Sequence, residues 1–367
     1  MKTKASVLYE YKQPLVIEEL DLDGPKQGEV LVEIKAAGLC HTDLSIMHGV
    51  YTVPPTPCVI GHEGAGIVRE VGPGVEKFKV GDHVVGIWVP SCGQCYYCQR
   101  NQPYLCVQRD LTRAGTMLDG TTRLTKDGKP IYNMTGLGTF KQFTVVAQQS
   151  LLRIEDSIPF EVAALTGCGV ITGVGAVLNT ADVEPGSSVA VLGIGGVGVN
   201  VIQGAVLAAA TKIIAIDLLD SKLEHAAKLG ATHTINASKE NAQEKVMEIT
   251  GGIGVDYAFD VVGGSKGSEI TLGLIRRGGN AVIIAVPSIE QKAVVPLTEF
   301  VITEKKLIGC YYGSSNLNSD MQTLLDLYKM GRLKVEELIS DRYSLDDINQ
   351  GFDDLIAGKN MRGVVIM

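Results

Sequence analysis

Four cysteines fall within a stretch of fifteen residues, Cys92, Cys95, Cys98 and Cys106, in the pattern C-x2-C-x2-C-x7-C. Short spacers let one tight loop bring four thiolates to a point. Four sulfurs with no open position make a closed tetrahedral zinc site, which stabilises a lobe and does no chemistry. The competing assignments are a redox pair or unrelated buried thiols, and the four-ligand spacing speaks against both. Two further loops offer a different set of ligands. GLCHTDL (38–44) carries Cys40, and GHEGAG (61–66) carries His62 with Glu63 beside it. A candidate third ligand is Cys168, in LTGCGVITG (165–173). Three protein ligands with a fourth position left for water or substrate is the arrangement of a catalytic zinc. One histidine and two distant cysteines prove little alone, because such residues are more often packed than ligating. Cys58 and Cys310 have no partner by spacing and are expected to be plain buried residues.

A third constellation points to a nucleotide. Gly193-Ile-Gly195-Gly196-Val197-Gly198 fits G-x-G-x-x-G. The match alone is weak, but it follows an apolar strand and opens a helix, which is the context the mechanism needs. Glycines there allow a tight turn and close approach of backbone to a pyrophosphate, whose charge meets a helix N-terminus. Asp217 ends the next strand, nineteen residues after Gly198. A carboxylate there accepts from ribose hydroxyls and repels a 2′-phosphate, so NAD is expected over NADP. The alternative for Asp217 is a cap on the following helix.

These residues need two kinds of scaffold, and the chain supplies both. Its first third alternates short apolar stretches with glycine and proline: 30–38, 64–72 and 82–90 read as strands of a β-rich, barrel-like domain. After about residue 170 the rhythm changes. SVAVLG (188–193), KIIAID (212–217), THTIN, VDYAFDVV (255–262) and NAVIIAV (280–286) alternate with helical stretches, which means βαβ units and a parallel sheet. After about Tyr311 that rhythm stops, and the helix in DDINQGFDDLIAGKN and the final strand RGVVIM read as a return to the first domain. The expected division is 1–170 with 311–367 for the zinc-binding catalytic domain and 171–310 for the cofactor domain.

At 367 residues two domains are the natural expectation. A net charge of −8 disfavours nucleic acid or an anionic membrane as partner. The start of the chain has no apolar run followed by a small-residue cleavage site, so a reducing cytoplasm is expected. The stretch 188–210 is close to the length of a membrane span, but its glycines, Asn200 and Gln203 fit a strand, a turn and a buried helix better.

Taken together, GLCHTDL, GHEGAG, the four-cysteine loop and GIGGVG occur in the order and spacing of the medium-chain zinc alcohol dehydrogenases, and the chain resembles that family over nearly its whole length. Residues 115–146 look like the longer segment of its dimeric animal and plant type. The resemblance implies a GroES-like catalytic domain joined to a Rossmann domain, two zinc ions per chain and NAD. It implies that Cys40, His62 and Cys168 bind the catalytic zinc, that Glu63 helps exchange its fourth ligand, and that Asp43 orients the zinc histidine; a turn cap is the plainer role for Asp43. Lys222 resembles the lysine that meets the adenosine ribose, His41 and Arg362 match basic positions on the pyrophosphate side, and Val286 joins the cofactor-binding set. His41 is weaker than arginine for phosphate, being mostly neutral at pH 7.

The implied reaction is hydride transfer from an alcohol, polarised by zinc, to the nicotinamide. Thr42 matches the hydroxyl that passes the alcohol proton toward the nicotinamide ribose. Many relatives end that relay with histidine three residues later. Here the residue is Ser45, which cannot hold the proton as a base near pH 7, so the relay is expected to finish in water. Trp88, Leu111 and Met134 align with apolar pocket positions, suiting medium-chain or aromatic primary alcohols, unless some are core residues. Asp110 stands where glutathione-dependent formaldehyde dehydrogenases place an anion-binding arginine, although Arg109 is next door. Other readings are a nicotinoprotein, with NAD kept bound and an external electron acceptor, a glutathione-dependent formaldehyde dehydrogenase, which Asp110 argues against, and a non-catalytic relative, disfavoured by the retained ligand residues. The expected assembly is a homodimer, with a tetramer as the alternative, paired through edge strands near 281–309.

Overall fold

The computed structural model describes residues 1–367. The chain forms two compact units: Met1–Cys168 with Asn316–Gly331 and Val335–Met367, and Gly169–Ser315 with Arg332–Lys334. Residues 311–315 belong to the second unit, where Thr180 donates to the Ser314 hydroxyl (2.7 Å) and Asn179 to that of Ser315 (3.3 Å).

The first unit is β-rich. In its larger sheet the strands run in the order Leu151–Arg153, His83–Gly86, Gly64–Val71, Glu29–Gly38, Arg362–Ile366, Ile339–Ser344, with Phe143–Ala147 also pairing to Glu29–Gly38. The C-terminal strand pairs antiparallel to Glu29–Gly38, Val364 opposite Gly38. A strand expected to run to Pro90 stops at Gly86, because Trp88–Pro90 leave the sheet. Leu8, Val32, Ile34, Phe140 and Phe352 are among the residues of the main core, where the rings of Phe140 and Phe352 meet edge to face. A second sheet has five strands in the order Lys2–Val7, Val16–Leu22, Leu124–Lys126, Lys129–Asn133, Cys58–Val59, and a smaller core includes its Leu20, Leu22 and Leu124 with Val145.

Glu29–Gly38 is the strand that carries the chain to Cys40, and its far end is fixed. The Glu29 carboxylate takes two hydrogen bonds from Arg123, which is 1 % exposed, and Arg123 also reaches Asp119 Oδ2 at 2.7 Å. A buried guanidinium is tolerable only with such pairing. Lys141 is fully buried as well, its Nζ donating to Asn133 Oδ1 (2.8 Å), Leu137 O (3.1 Å) and Gly138 O (2.7 Å). Both anchors lie within residues 115–146.

The second unit holds a six-stranded sheet, all parallel, in the order His233–Asn236, Lys212–Asp217, Ser188–Leu192, Val255–Asp260, Ile275–Ile283, Lys306–Gly309. Numbered along the chain this is 3-2-1-4-5-6, the doubly wound order. Its central strands, Lys212–Asp217, Ser188–Leu192 and Val255–Asp260, are largely buried apolar runs, as sheets covered on both faces require. The 188–210 stretch resolves into strand Ser188–Leu192, a glycine turn and the mostly buried helix Gly198–Leu207. The helical run long and apolar enough to cross a membrane is Phe160–Thr180, and 83 % of its apolar window is buried within the protein, as in a core helix.

Candidate active site

The four-cysteine loop turns at Gly93 (φ 74°) and runs through two short helical turns, Cys98–Arg100 and Pro103–Leu105. Cys92 and Cys98 sulfurs lie 4.0 Å apart, and those of Cys95 and Cys106 3.9 Å. A tetrahedron with Zn–S bonds of about 2.3 Å has edges of about 3.8 Å, whereas a disulfide needs about 2 Å; all eight cysteines are free. Backbone N–H groups also point at sulfur, from Cys92 to Cys106 Sγ and from Cys95 to Cys92 Sγ, each at 3.3 Å. N–H donors of Cys98 and Val107 draw the Cys95 thiol down to about 6. Burial pushes Cys106 up to about 12, so at neutral pH it keeps its proton until a bound metal displaces it. The set fits a structural zinc.

A second cluster is built by three elements. Cys40 immediately precedes the helix His41–Met47, His62 follows the turn at Gly61, and Cys168 comes from a π-helical turn, Thr166–Val170, within the Phe160–Thr180 run. The ligand atoms of Cys40, His62, Glu63 and Cys168 all lie within 4.8 Å of one another. Asp43, fully buried, ties two of the loops together: it accepts from Gly61 N–H (3.0 Å) and Cys40 N–H (3.3 Å) and contacts His62 Nδ1 (3.1 Å). With Nδ1 engaged, the imidazole presents Nε2 to a metal.

Burial works against charge on His62, but the Asp43 carboxylate and Cys40 outweigh it and hold its pKa well above the usual histidine range. A hydrogen bond from Cys168, helped by His62, holds Cys40 well below an ordinary thiol, and Cys168 rises in return. Burial lifts Glu63 to about 8 despite Arg362. Glu63 Oε2 contacts Arg362 Nη2, while Oε1 is buried with no partner in the chain. Two thiols, an imidazole and an orphaned carboxylate oxygen suit a zinc ion with one exchangeable position.

Thr42 is exposed at the start of its helix, its hydroxyl 3.7 Å from Cys40 Sγ. Ser45 is half-buried one turn later, and its hydroxyl hydrogen-bonds the phenol of Tyr51. Tyr51 escapes sequence reasoning because a turn after the helix, with Val50 N–H donating to Ser45 O (2.8 Å), is what folds it back. Trp88 lies edge-on to the His62 ring, centroids 6.2 Å apart. Met134 is buried in the main core, whereas Leu111 is 43 % exposed on the short helix Arg109–Arg113, beside the Arg109–Asp110 ion pair (3.6 Å).

In the second unit, the turn 193–198 needs its last glycine for internal reasons: a Cβ on Gly198 would lie 1.9 Å from Gly193 O. Gly195 differs, since a Cβ there meets nothing within 4 Å. That open face is where a ligand's approach, not the fold, would ask for glycine. Asp217 Oδ2 accepts from Ile194 N–H at 2.7 Å, and Oδ1 from Leu218 N–H (2.7 Å) and Leu219 N–H (3.1 Å). Lys222 is half-buried in the helix Asp220–Lys228, and Val286 is exposed. His41 is exposed, whereas Arg362 is buried against Glu63 with its Nε unpartnered.

A GroES-like β unit bearing cysteine and histidine metal clusters, and a doubly wound unit with a glycine turn, define a zinc-binding dehydrogenase. Residues 26–156 match the alcohol dehydrogenase GroES-like domain and residues 196–330 the zinc-binding dehydrogenase family. The chain is 43 % identical to the NDMA-dependent alcohol dehydrogenase of Amycolatopsis methanolica, covering 100 % of this chain and 99 % of that one. It is 40 % identical to an S-(hydroxymethyl)glutathione dehydrogenase of Paracoccus denitrificans, with full coverage of both. The crystal structure of benzyl alcohol dehydrogenase from Acinetobacter calcoaceticus superposes with a TM-score of 0.94 at 28 % identity, covering 100 % of this chain and 99 % of that one. The protein belongs to the medium-chain zinc alcohol dehydrogenase family and is an oxidoreductase acting in alcohol oxidation.

Proposed function

We propose that the protein oxidises primary alcohols, medium-chain or aromatic, to aldehydes, and runs the reverse reaction, with NAD as hydride acceptor. The observation that carries this reading is the convergence of Cys40, His62 and Cys168 with Asp43 behind the histidine. Zinc held by these three supplies Lewis acidity toward the substrate oxygen, and bound NAD supplies the hydride acceptor. Asp43 fixes the orientation of His62, and the partnerless oxygen of Glu63 stands ready to exchange places at the fourth position. The Thr42 hydroxyl takes the proton the alcohol loses. The open face at Gly195 and the Asp217 carboxylate support a dinucleotide without a 2′-phosphate. Trp88 against His62, and the likeness to a benzyl alcohol dehydrogenase, favour an aromatic alcohol.

A second reading keeps NAD bound and lets an external acceptor regenerate it; the 43 % identity to an NDMA-dependent enzyme favours it. The S-(hydroxymethyl)glutathione dehydrogenase likeness does not extend to substrate in our reading, because Asp110 gives a glutathione carboxylate no cation. We place the enzyme in the cytoplasm, where its eight free thiols persist. We also read it as a homodimer: Lys306–Gly309 is an edge strand, with Leu297, Val301 and Ile302 exposed nearby in sequence at 71–75 %. An alcohol panel, scored with free NAD and with NDMA, tests the reading. Turnover with NAD supports the first form, and turnover only with NDMA, alongside NADH absorbance in the purified protein, supports the second. No alcohol turned over with either would overturn both.

A further inference from the structure

A proton leaving the alcohol must reach solvent, and Ser45 has no basic nitrogen with which to store it. The helix His41–Met47 sets Thr42 and Ser45 three residues apart, on one face. One turn beyond, the chain reverses, with Val50 N–H and Tyr51 N–H directed at Ser45 O (2.8 and 3.4 Å), and brings the Tyr51 phenol against the Ser45 hydroxyl. The ring is half-buried against the main core, while Val50, Thr52 and Val53 around it are exposed. Tyr51 therefore packs on the core and still leaves part of its side chain open to water.

We propose that Tyr51 is the solvent-side member of the proton path, acting through Ser45 as a positioning and relay residue for the alcohol oxidation assigned above, on which this inference rests. In that reading Thr42 would receive the alcohol proton as it gives up its own toward Ser45, and a hydroxyl of the cofactor, when bound, would supply the link between them. Ser45 then gives its proton to the Tyr51 oxygen as Tyr51 releases its own to water. Each oxygen loses one O–H bond and gains one, so the net change is one proton delivered to solvent. Burial and the nearby Cys40 thiol raise the Tyr51 pKa against a smaller lowering by Ser45, so the phenol stays protonated at neutral pH and conducts without storing charge.

Tyr51→Phe keeps the ring and removes the hydroxyl. In the zinc- and NAD-loaded enzyme, kcat near pH 6.5 is expected to fall roughly 100-fold, the lower end of what a placed proton-transfer group contributes. The deficit should shrink as pH rises and hydroxide takes the proton directly, and imidazole buffer should restore activity, with KM and zinc content unchanged. As a readout apart from turnover, proton release into an indicator dye on binding of trifluoroethanol with NAD should be slowed in the variant. A pH–rate profile and proton-release rate equal to those of the parent, with no imidazole effect, would overturn the relay while leaving the assigned reaction standing. A parent enzyme that turns over no alcohol would overturn both.

Discussion

Asp43 accepts from the loops that bear Cys40 and His62, so one carboxylate sets the spacing of two metal ligands. Asp43→Asn is expected to weaken zinc at this site roughly 10- to 100-fold, the usual cost of losing such a partner; zinc competition against a chromogenic chelator reads it, and unchanged affinity would contradict the role. The glycines of the nucleotide turn divide in the same way. Gly198→Ala should destabilise the fold, since its Cβ collides with Gly193 O, whereas Gly195→Ala should leave Tm unchanged and raise the Kd for NAD at least ten-fold. Equal Tm losses in both would show that Gly195 serves the fold alone. At this scale the four-cysteine loop was legible in the sequence, because four thiols at short spacing have few other uses, whereas Cys40, His62 and Cys168 lie far apart in the chain and were joined only by the family resemblance. Tyr51 was not legible, since its meeting with Ser45 depends on a chain reversal that no spacing rule encodes.

Among elements, the strand Glu29–Gly38 links the loop bearing Cys40 to the segment 115–146 through Arg123. Arg123→Met would leave the Glu29 carboxylate buried and unpaired, at a cost of about 3–5 kcal/mol, read as a loss in urea-unfolding free energy; a change below about 1 kcal/mol would mean the pair is idle. Asp119, on the outer side of the same guanidinium, gives a pH signature. Burial raises its pKa, but hydrogen bonds from Thr121 and Arg123 outweigh that and set it at about 2. The unfolded value is about 3.9, so its stabilisation is complete above about pH 4 and is lost as pH falls toward 2. Asp119→Asn should therefore flatten the acid limb of Tm against pH, and an unaltered limb would refute the linkage. Strand positions followed from apolar runs between glycines. The strand ends at Gly86, short of Pro90, because Ile87–Val89 is as apolar as a strand but leaves the ladder, with Ile87 and Val89 buried outside it.

For the molecule as a whole, the two cysteine clusters predict two zinc ions per chain with different lability. Mild chelation should remove the ion at Cys40, His62 and Cys168 first, abolishing activity with the fold intact by circular dichroism, and removing the second should lower Tm. Loss of both in a single step would contradict the division into open and closed sites. Val301→Asp should shift the protein from dimer to monomer in sedimentation, and an unshifted boundary would exclude that face as the interface. The parallel sheet was legible because buried parallel strands read as continuous apolar runs, whereas its doubly wound character came with the family resemblance and its strand order only with the structure. The fate of residues 311–315 was not legible, since side-chain hydrogen bonds to Thr180 and Asn179, rather than any periodicity, hold them to the second unit.

Asp217 is also a structural clasp, both its oxygens already bound to the chain's own N–H groups, one of them on the glycine turn. If Asp217 also sets the proposed preference for NAD, cofactor choice and loop shape share one side chain. An engineer who neutralises Asp217 to admit NADP also releases Ile194, and must first give that amide another acceptor.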